Sequence, residues 1–403
     1  MTDDAQNLSR RDLMRLGATS LAAVSIANLP VMAAQKAASD KLPKRRYGRT
    51  GLEIGWLVGA SDWPKELVPR AVSAGVTYWH KAQAWSAETL PPALKSLPRE
   101  SYHLECVVDR VGGDHSHGRI EEEEHYQFVK RRVKEAGVGY YDVFKFHFGY
   151  HTVEEAKTNP GMVRAFERLK KEGLVKHLAI SQHHYPNIGG DMAWEILAYL
   201  ADHQPYEATQ FFYTYGDRKE IQEWIDVAKK KDIGTIAMKT MGGVGRAAHD
   251  EKFQKLLADP KYQGSTPAAA MVKWLKSNEN LTAAVMAIKN FDQFKENVGA
   301  AASLAMGPQD HAALSLLSGY NKGLTCLLCA QCVSSCPEHI GISDIFRYER
   351  YARDYHEFDR ARSEYAALTR NGTSCVGCGD CLPTCSQEID IAAKLKDVHR
   401  LLG

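Results

Sequence analysis

Two runs of cysteines constrain this chain more than any other feature of its sequence. Each run has the spacing C-x2-C-x2-C-x3-C, and together the runs contain eight of the nine cysteines. In such a run three thiolates bind one 4Fe-4S cluster, while the fourth thiolate reaches a neighbouring cluster. The spacing therefore predicts two clusters, each bound by three cysteines of one run and the last cysteine of the other. The first set is Cys326, Cys329, Cys332 and Cys385, and the second set is Cys375, Cys378, Cys381 and Cys336.

Structural zinc sites and a disulfide framework are the alternatives for these cysteines. Zinc ribbons use pairs of C-x2-C knuckles rather than runs of four cysteines, and a disulfide framework does not require two identical spacings. Both alternatives therefore fit the pattern less well than iron–sulfur clusters. The ninth cysteine, Cys106, lies in an apolar, strand-like run, where a lone cysteine is usually a small buried hydrophobic residue.

The length and composition fit a large domain followed by a smaller one. The chain has 403 residues, of which 44% are apolar, and its 51 basic and 49 acidic residues leave a formal charge of +2. Because a balanced charge creates no global field, no nucleic-acid partner is expected. No internal segment is apolar over the length of a membrane span.

The N-terminal residues have the features of an export signal. Arg10 and Arg11 precede a mildly apolar stretch at 16–27, and small residues follow up to Ala33. A twin arginine, a weak apolar region and a small-residue cleavage site are typical of a bacterial twin-arginine (Tat) signal peptide. An amphipathic helix with a chance Arg-Arg pair is the alternative, but the stretch has no polar face. We expect residues 1–33 to be removed and the folded, cluster-loaded protein to be exported to the periplasm.

Short apolar runs alternate with segments of helical periodicity through the middle of the chain. After a glycine-rich hairpin pattern and a first strand within 42–60, the expected strands are Val76 to His80, Tyr102 to Val108, Tyr141 to His147, His177 to Ser181, Tyr206 to Phe211, Gly234 to Met238 and Ala283 to Ala287. Eight strand-then-helix units in about 250 residues have the size and rhythm of a parallel (β/α)8 TIM barrel. A doubly wound sheet also alternates, but no G-x-G-x-x-G follows any strand. We therefore predict an α/β fold with the barrel at 42–302.

A small α-helical domain is predicted after the barrel. A connecting helix at 303–322 leads to residues 323–403, where a long helical pattern runs from Ile345 to Leu368 between the cysteine runs. An aromatic stripe on that pattern, expected to pack against the cysteine loops, consists of Tyr348, Tyr351, Tyr355 and Phe358. These features predict an α-helical, ferredoxin-like domain that binds two 4Fe-4S clusters.

Several short motifs follow one another through the barrel region. They are Tyr47-Gly-Arg-Thr-Gly-Leu, Ala74-Gly-Val-Thr, Gly139-Tyr-Tyr-Asp-Val-Phe-Lys-Phe-His147, Leu174-Val-Lys-His-Leu-Ala-Ile-Ser-Gln182, Gln210, Gly234-Thr-Ile-Ala-Met-Lys-Thr-Met-Gly-Gly and Glu296-Asn297. The order and spacing of these motifs are those of the aldo/keto reductases, which the segment from Lys44 to Ala301 therefore resembles. With the cysteine runs included, the mature chain resembles the subgroup of that family that is fused to a two-cluster ferredoxin domain.

The resemblance implies a catalytic tetrad that is largely replaced here. In the family a Tyr protonates the substrate oxygen, a Lys and an Asp tune its acidity, and a His orients the carbonyl. Matching the motifs puts His80 at the Asp position, Trp85 at the Tyr position and Val107 at the Lys position. Only His147 is retained. Since an indole N–H does not release its proton near neutral pH, Trp85 cannot act as a general acid.

The resemblance also implies a nicotinamide cofactor pocket that is partly retained. The implied residues are Ser181, Gln182 and Gln210 in the nicotinamide pocket, and Lys289 and Asn297 at the adenosine 2′-phosphate and adenine. The Pro-Gly that precedes the phosphate loop in the family is Met286-Ala287 here, and a β-carbon at that position obstructs a backbone approach that glycine permits. An exported enzyme has no free pool of reduced nicotinamide, so NADP is expected only as a cofactor carried out tightly bound.

Polar side chains follow the carboxyl ends of the predicted strands, where a TIM barrel carries its chemistry. His80 and Lys81 follow the second strand, and His147 follows the fourth. Because the family brings the positions of the two histidines into one pocket, three roles are open for them: an additional metal site, metal-free acid–base catalysis or substrate binding, or no chemical role. Lys81 is a candidate for the missing lysine, for an anion-binding group or for a solvated loop residue.

Three functions are open on these observations. The leading hypothesis is an exported oxidoreductase whose clusters exchange electrons with a small-molecule substrate at the barrel mouth and with a redox partner protein or electron carrier. The second is a non-catalytic barrel that serves as a docking platform or electron-transfer subunit of a larger redox complex. The third is an NADP-dependent carbonyl reductase with a tightly bound cofactor.

Overall fold

The computed structural model describes residues 41–112, 118–183, 190–216, 219–303 and 305–403. The predicted export signal lies outside these ranges. Ser39–Gly403 forms one compact unit. Within the described ranges, no helix combines the length and the apolar character that crossing a membrane requires.

A hairpin precedes eight parallel strands that close into a barrel. The hairpin strands are β1 (Lys44–Arg46) and β2 (Glu53–Gly55), and the barrel strands are β3 (Leu57–Ala60), β4 (Tyr78–His80), β5 (His103–Val108), β6 (Tyr141–Phe146), β7 (Val175–Ser181), β8 (Ala208–Phe212), β9 (Gly234–Met238) and β10 (Ala283–Val285). The strands follow chain order around the barrel, which closes between β10 and β3. The predicted (β/α)8 barrel is confirmed.

Helices follow the strands and continue beyond the barrel. They are α1 (Val68–Ser73), α2 (Pro92–Lys95), α3 (Glu122–Ala136), α4 (Val153–Thr158), α5 (Gly161–Lys171), α6 (Ala193–His203), α7 (Lys219–Lys230), α8 (Val244–His249), α9 (Glu251–Leu257), α10 (Pro267–Ser277), α11 (Phe291–Ala302), α12 (Pro308–Asn321), α13 (Ile342–Arg353), α14 (Phe358–Ala366) and α15 (Ile391–Leu402). Helix α5 is a typical case, because the spacing of its buried side chains puts them on one face. Those side chains include Met162, Ala165, Phe166 and Leu169.

The barrel is closed at the amino-terminal ends of its strands. Tyr47 and Ile54 of the hairpin region cover an apolar layer whose other buried members are Val58, Tyr78, Val143, Ala179, Ala208, Ile236 and Ala283. The Tyr47 ring packs edge-on against Tyr78 at a centroid distance of 5.4 Å. Each fully buried large apolar side chain stabilises the fold by about 1.5–3 kcal/mol. The open end of the barrel is therefore the carboxyl end, where the site is built.

The C-terminal segment has its own core and contains two helices where one long helix was predicted. The expected single pattern from Ile345 to Leu368 is wrong, because α13 ends at Arg353 and α14 begins at Phe358. His356 between them is left-handed (φ 59°), and a left-handed residue cannot continue a right-handed helix. In the aromatic stripe, Tyr348 and Tyr351 are buried, whereas Phe358 is exposed.

Candidate functional site

The two cysteine runs have the same backbone conformation. The residues directly before and after the second cysteine are left-handed in both runs, with φ of 60° and 59° at Leu328 and Ala330 and of 73° and 86° at Gly377 and Gly379. The residue three positions after the last cysteine is left-handed in both runs as well. This conformation costs a residue with a β-carbon about 1–2 kcal/mol. Its repetition at matching positions indicates a requirement that the two runs share.

Cysteines of the two runs lie near one another in the fold. The thiol of Cys332 interacts electrostatically with the three other members of its predicted set and with Cys381, and the thiol of Cys381 interacts with the three other members of the second set. A small pocket is lined by all four cysteines of the second set. The described residues contain no group of three His, Cys, Asp or Glu side chains that could hold a single metal ion. A 4Fe-4S cluster makes a different demand, because each of its four thiolates binds its own iron.

A buried polar network lies in the barrel interior above the apolar layer. Lys145 of β6 lies 2.8 Å from Glu105 of β5 and also donates a hydrogen bond to the side-chain oxygen of Gln210. Nδ1 of His80 lies 2.9 Å from the Lys145 ammonium and 2.6 Å from the Glu105 carboxylate. The second Glu105 oxygen accepts a hydrogen bond of 2.7 Å from the hydroxyl of Tyr78. The Lys145 and Glu105 side chains are 0% exposed.

The charges in this network determine the protonation of its members. Burial alone would raise the pKa of Glu105, but Lys145 and then His80 lower it far below its usual value. Burial lowers the pKa of Lys145 to about 8, and burial together with the Lys145 charge lowers the pKa of His80 to about 4. At neutral pH the pair is therefore ionic and the imidazole neutral. A proton on Nδ1 of His80 explains its close approach to Glu105 and leaves Nε2 as an acceptor.

A second histidine–carboxylate pair lies at the carboxyl ends of β5 and β6. Nδ1 of His147 lies 2.5 Å from Oδ1 of Asp109. Burial lowers the pKa of His147 to about 3, although Asp109 favours its charged form. The neutral ring therefore donates from Nδ1 and presents Nε2 as an acceptor. Its centroid lies 4.2 Å from the Phe148 ring and 6.0 Å from the His183 ring.

The two predicted histidines share one end of the barrel, as the sequence indicated. The charges of Lys81 and Lys145 act on both imidazoles. Lys81 directly follows β4 in a left-handed conformation (φ 55°). Because the described ranges contain no group of three His, Cys, Asp or Glu side chains placed to hold a metal ion, the geometry gives no support to an additional metal there.

Trp85 does not join the histidines. Its indole is buried against Trp79 at a centroid distance of 5.6 Å, within the hydrophobic layer outside the strands. Trp79 faces outward because successive side chains of a strand alternate between the two faces, and the next residue, His80, faces inward. The position that carries the proton-donating Tyr in the resemblance thus contributes to packing in this chain.

The predicted nicotinamide-side residues bind other protein groups. The side-chain amide of Gln182 exchanges hydrogen bonds with the backbone N–H and carbonyl of Tyr150 and donates to the carbonyl of the next residue. Gln210 accepts from Lys145 and donates to the sulfur of Met238, and Ser181 also donates to that sulfur. A carboxamide of nicotinamide would have to displace these contacts, so the pocket does not fit that group as it stands.

The predicted phosphate side is open but rearranged. Lys289 is exposed and Asn297 is buried in α11. The carbonyl of Met286 accepts a hydrogen bond of 3.0 Å from the indole of Trp63. Ala287 is not left-handed, so the backbone lacks the conformation for which a glycine would be required.

The C-terminal segment covers the carboxyl end of the barrel. Leu328 of the first cysteine run packs with Phe212 and Met238, the last residues of β8 and β9, and Cys326 contacts the same apolar cluster. Lys239, the residue after β9, donates a hydrogen bond of 3.1 Å to the hydroxyl of Tyr351 in α13. The first cysteine run and α13 therefore form a roof over the barrel mouth.

The sequence motifs do not identify the lysine and glutamate of the buried network. The resemblance puts the tetrad lysine at Val107 of β5, whereas Lys145 lies directly beside Val107 on the neighbouring strand. A signal was present, because Glu105 and Lys145 are charged residues within otherwise apolar strands. Lys145 also precedes His147 by two residues, which places both side chains on the same face.

Comparison with known proteins agrees with this geometry. A sequence model described as the aldo/keto reductase family matches residues 47–317, so the cysteine runs lie beyond the matched part. No curated protein matches the chain.

Solved structures of aldo-keto reductases are similar to this chain. The holo form of aldo-keto reductase AKR11C1 from Bacillus halodurans superposes with a TM-score of 0.51 at 16% identity over 68% of this chain and 96% of that chain. The thermostable aldo-keto reductase Tm1743, in complex with the inhibitor epalrestat, gives 0.50 at 18% identity over 68% and 99%. A protein of Pseudomonas aeruginosa described as an aldo-keto reductase gives 0.48 at 18% identity over 66% and 98%.

These likenesses concern the barrel, and the family match covers most of the chain. The closed parallel barrel and the match over residues 47–317 agree with one another. This chain therefore belongs to the aldo/keto reductase family.

Proposed function

We propose that this protein is an exported iron–sulfur oxidoreductase in which two 4Fe-4S clusters exchange electrons with a small-molecule substrate at the barrel mouth. The packing of Leu328 on Phe212 and Met238 carries the proposal, because it puts the first cysteine run beside the end of the barrel where this fold performs chemistry. The buried position of Trp85 supports it, since the usual proton donor of the family is absent from the mouth.

The cysteine sets fit clusters by their chemistry. Each set groups four thiolates, and the backbone N–H of Leu328 donates a hydrogen bond of 3.3 Å to the Cys326 sulfur. When bound, such clusters supply one-electron transfer at a potential that hydrogen bonds to sulfur and solvent exposure adjust.

The residues of the barrel interior would manage protons for this chemistry. Nε2 of His147 accepts a proton from a group bound at the mouth, and Asp109 stabilises the imidazolium that forms. Lys145, whose pKa is lowered to about 8 by burial, donates to Gln210 and is paired with Glu105. A group with a pKa near the working pH exchanges its proton readily, so Lys145 serves as a proton store beneath the mouth.

The second cysteine set is the side that a redox partner would reach. Cys378 is exposed, and Val376 and Leu382 in the same run are 66% and 43% exposed. Exposed apolar side chains that cluster on a surface favour protein contacts. Electrons would therefore pass between a partner protein and the second set, while the first set faces the substrate. The twin arginine at Arg10 and Arg11 supports a periplasmic location for this exchange.

Metal analysis of the anaerobically purified mature protein tests the cofactor assignment. We expect about eight iron and eight sulfide per chain, and an acid extract without nicotinamide nucleotide. Stoichiometric zinc in place of iron would refute the proposal, and bound nucleotide would favour the carbonyl reductase.

Paired histidine replacement tests the catalytic assignment. His80→Ala with His147→Ala is expected to abolish turnover of small carbonyl compounds and other two-electron acceptors by reduced methyl viologen, with the iron content unchanged. His311→Ala is the matched control, because His311 is an exposed residue of α12. Wild-type turnover in the double variant would instead favour a docking platform that carries electrons without binding substrate.

A further inference from the structure

Several hydrogen-bond donors beside the barrel mouth have few partners or none among the described residues. Within the described part of the chain, the Lys239 ammonium has one hydrogen-bond acceptor, the Tyr351 hydroxyl, and Lys81 has neither an ion pair nor a hydrogen bond. Because Tyr351 accepts from Lys239, its own O–H points elsewhere and finds no acceptor there. Nε of Arg347, a residue 5% exposed, is also without a partner.

Cationic side chains lie close to the Tyr351 ring of α13. The Lys239 ammonium lies 4.7 Å from the ring centroid, and the guanidinium of Arg360 in α14 lies 4.0 Å from it. Burial raises the pKa of Tyr351, whereas the charges of Arg347, Arg360 and Lys81 act in the opposite direction. Tyr351, which is 2% exposed, is thus a buried phenol among four cationic side chains. Arg347 is paired with Asp344, and Arg360 with Glu357 and Glu364, which leaves Lys81 and Lys239 as the two without a carboxylate partner among the described residues.

The carboxylates near the mouth are committed to other groups. Glu105 is paired with Lys145, and Asp109 with His147. Burial, together with the charges of Arg347, Arg360 and Arg350, lowers the pKa of Lys239 to about 7, although Tyr355 acts in the opposite direction. A buried lysine in such surroundings is stabilised by a bound negative charge.

The donors also adjoin the two histidines. Lys81 directly follows His80, and its charge acts on both imidazoles. The Arg347 guanidinium lies 6.0 Å from the Phe148 ring, which lies 4.2 Å from the His147 ring. The acceptor-poor region and the acid–base groups therefore border the same mouth.

We propose that the barrel mouth binds a small anion, a carboxylate or comparable oxoanion, whose oxygens accept hydrogen bonds from Lys81, Lys239 and Tyr351. The anion supplies the acceptors that the chain lacks and places the remainder of the molecule toward His80 and His147. The inference rests on the proposed function only in treating this mouth as the substrate site. It then narrows the substrate class to small acids.

Isothermal titration with acetate and with sulfate at constant ionic strength tests the site. We expect one anion per chain, and no binding of acetamide, which has the shape of acetate without its charge. Lys239→Met and Lys81→Met are each expected to weaken binding about tenfold or more, since each removes a charge-assisted hydrogen bond. Lys65→Met is the matched control, because Lys65 is an exposed barrel lysine and its loss should leave the affinity unchanged.

Two results would overturn the proposal. One is the absence of saturable binding of either anion to the wild-type protein, and the other is unchanged affinity in both lysine variants. If Lys239→Met does not fold, Tyr351→Phe takes its place, since it removes one hydroxyl and keeps the ring. The titration measures binding rather than turnover, so a protein that binds acetate but contains no iron would refute the proposed electron transfer and leave the anion site intact.

Discussion

Replacement of Lys145 by Met tests the buried network directly. Lys145→Met approximately retains the side-chain volume but removes the ammonium that lies 2.8 Å from Glu105. The carboxylate of Glu105, 0% exposed, is then left with only His80 and Tyr78. Loss of one partner from a buried ion pair costs about 3–5 kcal/mol, and we expect the free energy of unfolding at pH 7 to fall by that amount. Adding Glu105→Gln removes the stranded charge, so the double variant should recover most of the loss.

Anaerobic urea unfolding followed by tryptophan fluorescence provides the assay, because Trp56 and Trp79 are fully buried in the barrel. The folded state lowers the pKa of Lys145 from 10.5 to about 8. Between these two values the unfolded chain binds more protons, so the wild-type free energy of unfolding should rise with pH, and Lys145→Met should lack that rise. A single variant as stable as the wild type, or a double variant no more stable than the single one, would refute the reasoning.

The remaining predictions concern the cysteine loops and the anion site. Ala330→Gly should raise the free energy of unfolding by about 1 kcal/mol and Gly377→Ala should lower it by about 1–2 kcal/mol, because both positions are left-handed. A β-carbon on Gly377 meets nothing within 4 Å, so steric overlap does not contribute to the second value. Shifts of the opposite sign in the urea midpoints would contradict this prediction. Iron analysis of Cys385→Ser should find about four irons per chain in place of about eight, because the variant loses one ligand of the first cluster. Cys106→Ser is the control and should retain all of the iron. Equal iron contents in the two variants would invalidate the assignment of the cysteines to the two sets. Acetate affinity measured by titration calorimetry should fall as the pH rises through about 7, because Lys239, with a pKa lowered by burial to about 7, loses its charge there; a flat profile would exclude Lys239 from the site.

Much of the barrel could be predicted because its pattern is local. Each strand reads as a short apolar run and each helix as a periodic one, so the eight units are visible without knowledge of their contacts. The ends of the strands differ from the predicted ends, because hydrogen bonding to the neighbouring strand determines where a strand begins. For example, β4 begins at Tyr78 rather than at Val76. The break between α13 and α14 was not predictable, since the left-handed residue there is His356 and not the glycine or proline that usually marks such a break.

Some features of the candidate site could likewise be predicted from the sequence, and others could not. The spacing within each run shows which cysteines share a loop, and the assignment of the fourth ligand from the other run stays a prediction. The buried network could not, because the partnership of Lys145 with Glu105 depends on the register between β5 and β6. The position of the C-terminal segment on the barrel mouth could not be predicted either. It depends on contacts between residues far apart in the chain, such as the contact of Leu328 with Phe212.

The contact made by Leu328 also connects assembly with quality control. Phe212 and Met238 are only 8% and 7% exposed, and the first cysteine loop is part of what covers them. A chain whose loop has not become ordered would present an apolar, sticky barrel mouth, and such surfaces promote aggregation and proteolysis. Through Leu328, the resistance of the barrel to aggregation and proteolysis in the cell thereby depends on the ordering of the first cysteine loop.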